Sequence, residues 1–337
     1  MKVYRPKRSR PKITVIGGGT GLPVILSSLK RKNADVTAIV TVADDGGSSG
    51  VLRKLYNTVP PGDIRNVLVS LSDVPEMQKD IFQYRFKSED ESLDGHSLGN
   101  LIILATSEMN GSMYEGIQLL AKMMHCTGNI YPAADEPLIL NARYTDGTVG
   151  SGESKIARKD KKIDYVTVST TSKEKVIVNA GKKVVSSIMN ADMVVLGPGS
   201  LYTSILPTLM IPDVGKAIME TDAQVLYICN IMTQLGETEG FTDAHHVDVL
   251  CQHLGDKFID TVLVNNAEVP KNHVAEISSD EYLLQVEHDF KGLQEKVPMV
   301  ISSDFLNITE KGVYHDGEKV VDEILRSVSF NHRQVRM

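Results

Sequence analysis

The chemistry open to this chain is concentrated in a few short stretches. Gly17, Gly18, Gly19, Thr20 and Gly21 are five consecutive small residues. Such a stretch lets backbone N–H groups approach an anion, and a helix starting there adds the positive end of its dipole. Packing of a tight strand-to-helix turn is the plainer use of the same glycines. Gly197, Pro198, Gly199 and Ser200, followed by Thr203 and Ser204, form a second loop of this kind with hydroxyl donors. Between the two in sequence stand adjacent carboxylates, Asp44 and Asp45, then Gly46, Gly47, Ser48 and Ser49. Paired carboxylates hold a hydrated divalent cation such as Mg²⁺ or accept hydrogen bonds from sugar hydroxyls. A solvated Asp-Asp-Gly turn is the bland alternative.

Other polar groups follow these loops. Asp63, after Pro60-Pro61-Gly62, reads as a helix N-cap. Arg65 and Asn66 then fall in a first helical turn, where a cation opposes the dipole and would suit a phosphate or a carboxylate. His96 and Asn100 are four apart and share a face if helix has begun by His96. Asn230, Thr233, Gln234, Gly236, Glu237 and Thr238 make a polar loop suited to a base, a sugar or a substrate carbonyl. Asp44, Asp45, Asp63 and His96 are the catalytic candidates if the chain is an enzyme, Asp44 or Asp45 to carry Mg²⁺ and Asp63 or His96 to activate an acceptor. Asp243, His245, His246, Asp248, Cys251 and His253 suggest a metal set, but Val247, Leu250 and Leu254 give that segment an apolar helical face and its spacing fits no zinc pattern.

Each loop is delivered by an apolar, β-branched run: Ile13 to Ile16, Val36 to Val42, Met193 to Leu196 and Val225 to Cys229. Strand, small loop and helix in repetition predict an α/β fold with a mostly parallel sheet flanked by helices. The two glycine loops build one diphosphate cleft only if their strands are sheet neighbours. The dinucleotide fingerprint requires a further glycine where Leu22 stands, and no G-K-[ST] follows. An NAD(P) oxidoreductase is thereby disfavoured, although NAD remains compatible as a ligand. An amphipathic helix is predicted over residues 113 to 126, a hairpin over 137 to 150 and a polar, basic connector over 151 to 162. Strands are expected at Val166 to Thr170, Val176 to Val178, and residues 260 to 265, 282 to 286 and 298 to 302, with a closing helix over 317 to 328. We read residues 1 to 11 as a basic arm and 12 to 330 as one α/β domain, with an inserted or appended smaller lobe at about 130 to 180.

The chain has 337 residues and a net charge of −7. Residues 1 to 12 hold six basic and no acidic side chains, leaving −13 on the rest. An acidic body argues against nucleic acid as the main partner. No apolar run approaches a membrane span and no signal peptide is visible. Three cysteines without a C-x-x-C pair fit a reducing cytoplasm.

Six ordered motifs carry a family resemblance: G-G-G-T-G-L-P, A-D-D-G-G-S-S-G, P-P-G-D-I-R-N, G-H-S-L-G-N-L, G-P-G-S-L-Y-T-S and N-I-M-T-Q-L-G-E-T. Together they resemble the YvcK family, also called GlmR or gluconeogenesis factor, over roughly Pro11 to Val328. That family is similar to the CofD 2-phospho-L-lactate transferases, and the resemblance implies that the α/β fold is Rossmann-like. The resemblance implies a cytoplasmic regulator with no required cofactor that binds UDP-sugars such as UDP-N-acetylglucosamine. It also implies a link between gluconeogenic growth, cell-wall precursor synthesis and cell shape, and glucosamine-6-phosphate synthase as a partner. A homo-oligomer is compatible with it. On this reading Gly17 to Gly21 and Gly197 to Ser204 hold the diphosphate. Asp44 and Asp45 take hydroxyls or a cation, Arg65 neutralises phosphate, and Asn230 to Thr238 read the base or sugar. The alternative is a CofD-like, Mg-dependent transferase that moves a phosphate-linked group from a nucleotide donor to an acceptor.

Overall fold

A computed structural model describes residues 10–89, 93–158, 160–171, 178–270, 282–310 and 312–334. Most of the basic arm therefore lies outside the described residues, as does the strand expected at Val176 to Val178 apart from Val178, which is in no strand. The β-branched runs build a seven-stranded sheet. In chain order its strands are β1 (Lys12–Gly17), β2 (Asp35–Val40), β3 (Asn129–Pro132), β7 (Met193–Leu196), β8 (Gln224–Ile228), β10 (Thr261–Asn265) and β12 (Met299–Ser303). The spatial order is β12-β10-β8-β7-β1-β2-β3, and every pairing is parallel. Burial of β1, β2, β7 and β8 is near complete, which is why they read as continuous apolar runs rather than alternating ones.

The sheet grows outward in both directions from β1 and β7. Those two strands are neighbours, with Ile13 opposite Met193 and Ile16 opposite Leu196. An open parallel sheet has its ligand crevice at such a switch point, beyond the carboxyl ends of the strands. Helix α1 (Gly21–Arg31) leaves β1 and buries Leu22, Ile25, Leu26 and Leu29. It packs against α3 (Pro61–Leu71) and the closing helix Gly317–Gln334. Between β2 and α3 lies α2 (Gly47–Tyr56); α4 (Glu76–Gln83), α5 (Leu98–Asn110) and α6 (Met113–Met123) follow.

Between β3 and β7 the chain makes a separate antiparallel sheet from β4 (Leu138–Tyr144), β5 (Val149–Ser151) and β6 (Ile163–Thr170), in the order β5-β4-β6. A one-turn helix, α7 (Glu153–Ile156), joins β5 to β6. Leu138, Leu140, Ala142 and Tyr144 alternate inward and join the same apolar core as the large sheet. Two small ribbons complete the fold: β9 (Met232–Gln234) with β11 (Tyr282–Gln285), and β13 (Leu306–Thr309) with β14 (Gly312–His315). Among the described residues no helix is long and apolar enough to cross a membrane.

Candidate functional site

The glycine loops after β1 and β7 meet across the switch point. A Cβ on Gly199 would stand 3.2 Å from the Gly18 carbonyl oxygen, so the two backbones touch. They face one cavity of about 310 Å³, with Gly18 to Gly21 on one side and Pro198, Gly199, Ser200 and Ser204 on the other. That volume is at the lower end for small-molecule sites. Gly19 is left-handed at φ +67°, and its N–H donates to Asp63 Oδ2 at 2.8 Å. Gly18 has a second constraint: a Cβ there would lie 2.5 Å from Thr41 Cγ2 and 2.6 Å from Asp63 Oδ2. Thr20 precedes α1 without a side-chain cap, whereas Ser200 Oγ accepts the Thr203 N–H and donates to Glu237 Oε2 at 2.5 Å. Leu22, where a dinucleotide fingerprint has glycine, is fully buried in the core. Gly17 and Thr203 support the loops without lining the cavity.

Asp63 corrects the sequence reading. Helix α3 begins at Pro61 with Pro60 as its N-cap, so Asp63 is already inside the first turn and caps the glycine loop of β1 instead. Burial pushes its carboxyl up to about 6, with the Gly19 bond opposing that shift. Asp44 Oδ1 accepts the Gly46 N–H at 2.8 Å, and burial raises its pKa also. Asp45 Oδ1 accepts from the Ser154 N–H at 2.8 Å.

Arg65 differs from its expected role as well. Its guanidinium donates to Asn100 Oδ1 and Asn66 Oδ1, both at 3.0 Å, and its Nε is buried without a partner. Desolvation lowers its pKa to about 10, and it does not line the cavity. Helix α5 starts at Leu98 with Ser97 as its cap, so His96 precedes the helix and shares no helical face with Asn100. The two meet at Ser48 all the same. Its Oγ is 2.8 Å from His96 Nδ1 and accepts from Asn100 Nδ2 at 3.2 Å. Ser49 bonds Asp44 and sits where a Cβ on Gly62 would clash, at 2.4 Å. Ser48, Ser49, Arg65, Asn66, His96 and Asn100 thus form a bracket behind the acidic loop.

The loop after β8 divides in the same way. Asn230 and Gln234 line the cavity, and Asn230 Oδ1 and Gln234 Oε1 are buried without hydrogen-bond partners. Thr238 is fully buried and accepts the Gln234 N–H, while Thr233 Oγ1 donates to the Leu284 carbonyl. These two threonines hold the loop rather than face the cavity. The histidines of the helix Asp243–Leu254 are structural: burial lowers His246 to about 4, and His253 Nε2 accepts the Val166 N–H.

Two parts of the wall carry no motif. The end of β14 supplies Val313, Tyr314 and His315. His315 Nε2 donates to the Cys229 carbonyl at 3.1 Å, and burial holds the imidazole neutral by lowering its pKa to about 4. Helix α7 supplies Glu153, from the connector that had no visible chemistry. Burial raises Glu153 to about 8, and the charges of Asp44, Asp45, Glu237 and Asp63 add to the shift. The only local signal is a Gly-Glu pair just after a strand, which is too common to read. Among the described residues lining the cavity there is no Lys or Arg. Nor do they contain a group of three or more His, Cys, Asp or Glu able to hold a metal ion.

Residues 13–306 match the family model described as 2-phospho-L-lactate transferase CofD. A gluconeogenesis factor from Listeria monocytogenes is 46% identical over 319 residues, covering 95% of this chain and 96% of that protein. A Streptococcus pneumoniae relative of the same family name is 54% identical over 320 residues, covering 95% of this chain and 98% of its own. The chain belongs to the gluconeogenesis factor family. A solved UPF0052 family structure from Bacillus halodurans is similar in fold to this chain, with a TM-score of 0.88 and 39% identity. The match covers 94% of this chain and 100% of that one. The chain therefore carries a CofD-like α/β domain whose crevice lies at the β1/β7 switch point.

Proposed function

We propose that this protein is a cytoplasmic, nucleotide-sugar-binding regulator, with UDP-N-acetylglucosamine as the preferred ligand. The observation that carries this reading is the convergence of Gly18 to Gly21 and Pro198 to Ser200 on one cavity. Backbone N–H groups and helix starts suit a diphosphate, and the two unpartnered amide oxygens suit the donors of a base or an acetamido sugar. Occupancy would report cell-wall precursor supply to carbon metabolism and cell shape, with glucosamine-6-phosphate synthase as the protein partner. Among the described residues the wall has one acid, Glu153, and no Lys or Arg, so a diphosphate seated there calls for a compensating cation. Mg²⁺ needs only one or two protein carboxylates when phosphate oxygens complete its shell, and Asp44 with Asp45, which neighbour Glu153 without lining the cavity, would supply them.

The carboxylates favour one second reading, a CofD-like transferase acting on a nucleotide donor. There Asp44 and Asp45 would hold Mg²⁺ to polarise phosphoryl oxygens, while Asp63, held near neutrality by burial, would hold or release a proton. Calorimetric titration with UDP-N-acetylglucosamine, GDP and NAD, with and without Mg²⁺, separates the readings. The regulator predicts selective UDP-sugar binding, weakened in Thr20→Ala and Ser200→Ala, with no nucleotide turnover. GDP selectivity with turnover would support the transferase, and failure to bind any nucleotide would refute both.

A further inference from the structure

We infer that Glu153 is the specificity-determining residue of this cavity, accepting a hydroxyl donor from the sugar attached to the diphosphate. The inference rests on the nucleotide-sugar reading and adds to it a residue from the inserted antiparallel sheet. Glu153 is the one acidic side chain on the cavity wall among the described residues. Every other polar group there is a backbone amide, a hydroxyl, a side-chain amide or the neutral His315.

Its position is fixed from both sides. Gly152, left-handed at φ +101°, lies where a Cβ would meet Asp45 Oδ2 at 2.8 Å, and Ser154 N–H donates to Asp45 Oδ1. On the other flank a Cβ on Gly236 would stand 2.6 Å from the Arg158 nitrogen, so the 157–158 backbone lies directly on the β9 loop. Ile156 is fully buried between these anchors, and its carbonyl accepts the Tyr144 hydroxyl at 3.1 Å. Residues 152 to 158 thus bridge the loop after β2 and the loop after β9, and present Glu153 over the crevice. A carboxyl presented by this anchored backbone beside a phosphate cradle does not serve the phosphate, which it would repel. It does suit a neutral donor further along the ligand, and sugar hydroxyls are such donors.

The test is competition calorimetry of UDP and UDP-N-acetylglucosamine on wild type, Glu153→Gln and Glu153→Ala, with Mg²⁺ present and absent. Thermal melting confirms that each variant folds. Glu153→Ala is expected to weaken the UDP-sugar about tenfold or more while changing UDP less than threefold. Glu153→Gln, which keeps an acceptor oxygen, should recover part of that loss. Equal weakening of UDP and UDP-sugar would overturn the assignment, as would no change in either. A loss for both ligands seen only with Mg²⁺ would make Glu153 a cation ligand and overturn it too. Wild type that binds neither ligand would remove the nucleotide-sugar reading itself, a result distinct from any change confined to the variants.

Discussion

The glycine loop after β1 and the 152–158 segment line the same cavity but come to it by opposite routes. Residues 17 to 21 are local: an apolar strand, a run of small residues and an amphipathic helix dictate the turn, and the switch point of the sheet places it. Residues 152 to 158 are remote. They arrive on an antiparallel insertion and are held by contacts with Asp45 and Gly236, which are 107 and 84 positions from Gly152 in sequence. The first region provides a cradle common to many α/β proteins. The second provides a carboxyl that such a cradle lacks. On the proposed reading, generic anion binding resides in the sheet edge, and discrimination between ligands in what is laid across it.

Substitutions at the glycines of each region sharpen the contrast. Gly18→Ala should have the largest effect, because its Cβ would overlap both Thr41 and Asp63. Loss of roughly 1–3 kcal/mol of stability in urea unfolding, together with loss of nucleotide binding, is expected. Gly236→Ala combines a left-handed backbone with contact against Arg158. It should cost about 1–2 kcal/mol and raise hydrogen exchange in residues 152 to 158 while leaving residues 17 to 21 protected. If both loops lose protection together, the cradle and the bridge are not separable.

The carboxyls give a pH signature. Asp63 and Glu153 have pKa values raised in the folded state, to about 6 and about 8. The folded protein therefore holds protons that the unfolded chain has released, and stability from these groups falls as pH rises. The loss runs from about 3.8 to 6 for Asp63 and from 4.5 to 8 for Glu153. Glu153→Gln should therefore raise the melting temperature of the ligand-free protein at pH 8 and leave it nearly unchanged at pH 4. The gain is on the order of 1–3 kcal/mol. A variant less stable than wild type at pH 8 would contradict this assignment. An effect no larger than that of Gly236→Ala is expected behind the acidic loop. Asn100→Ala removes one bond to Arg65 and one to Ser48, for a loss of about 1–2 kcal/mol in chemical denaturation.

Much of the site was legible in the sequence because its chemistry sits at strand ends. The buried runs Ile13 to Ile16 and Met193 to Leu196 identify two parallel strands, and the glycines after them identify the loops. Adjacency of those strands is a property of the whole sheet, so sequence states it only as a condition for a shared cleft. Asp63 was misread because the chain enters α3 two residues earlier, which frees its carboxylate for Gly19. Arg65 and His96 were read as ligand groups, since sequence does not reveal that amide and hydroxyl partners lie within reach. Glu153 and the end of β14 carry no motif at all. Only the tertiary fold brings them to the crevice.

The most direct test of the central claim is hydrogen–deuterium exchange of the intact protein with and without saturating UDP-N-acetylglucosamine and Mg²⁺. A ligand seated at the β1/β7 switch point should slow exchange in residues 18 to 22 and 199 to 205, and more weakly in 152 to 158. Protection confined to other surfaces, or none despite measured binding, would contradict the account.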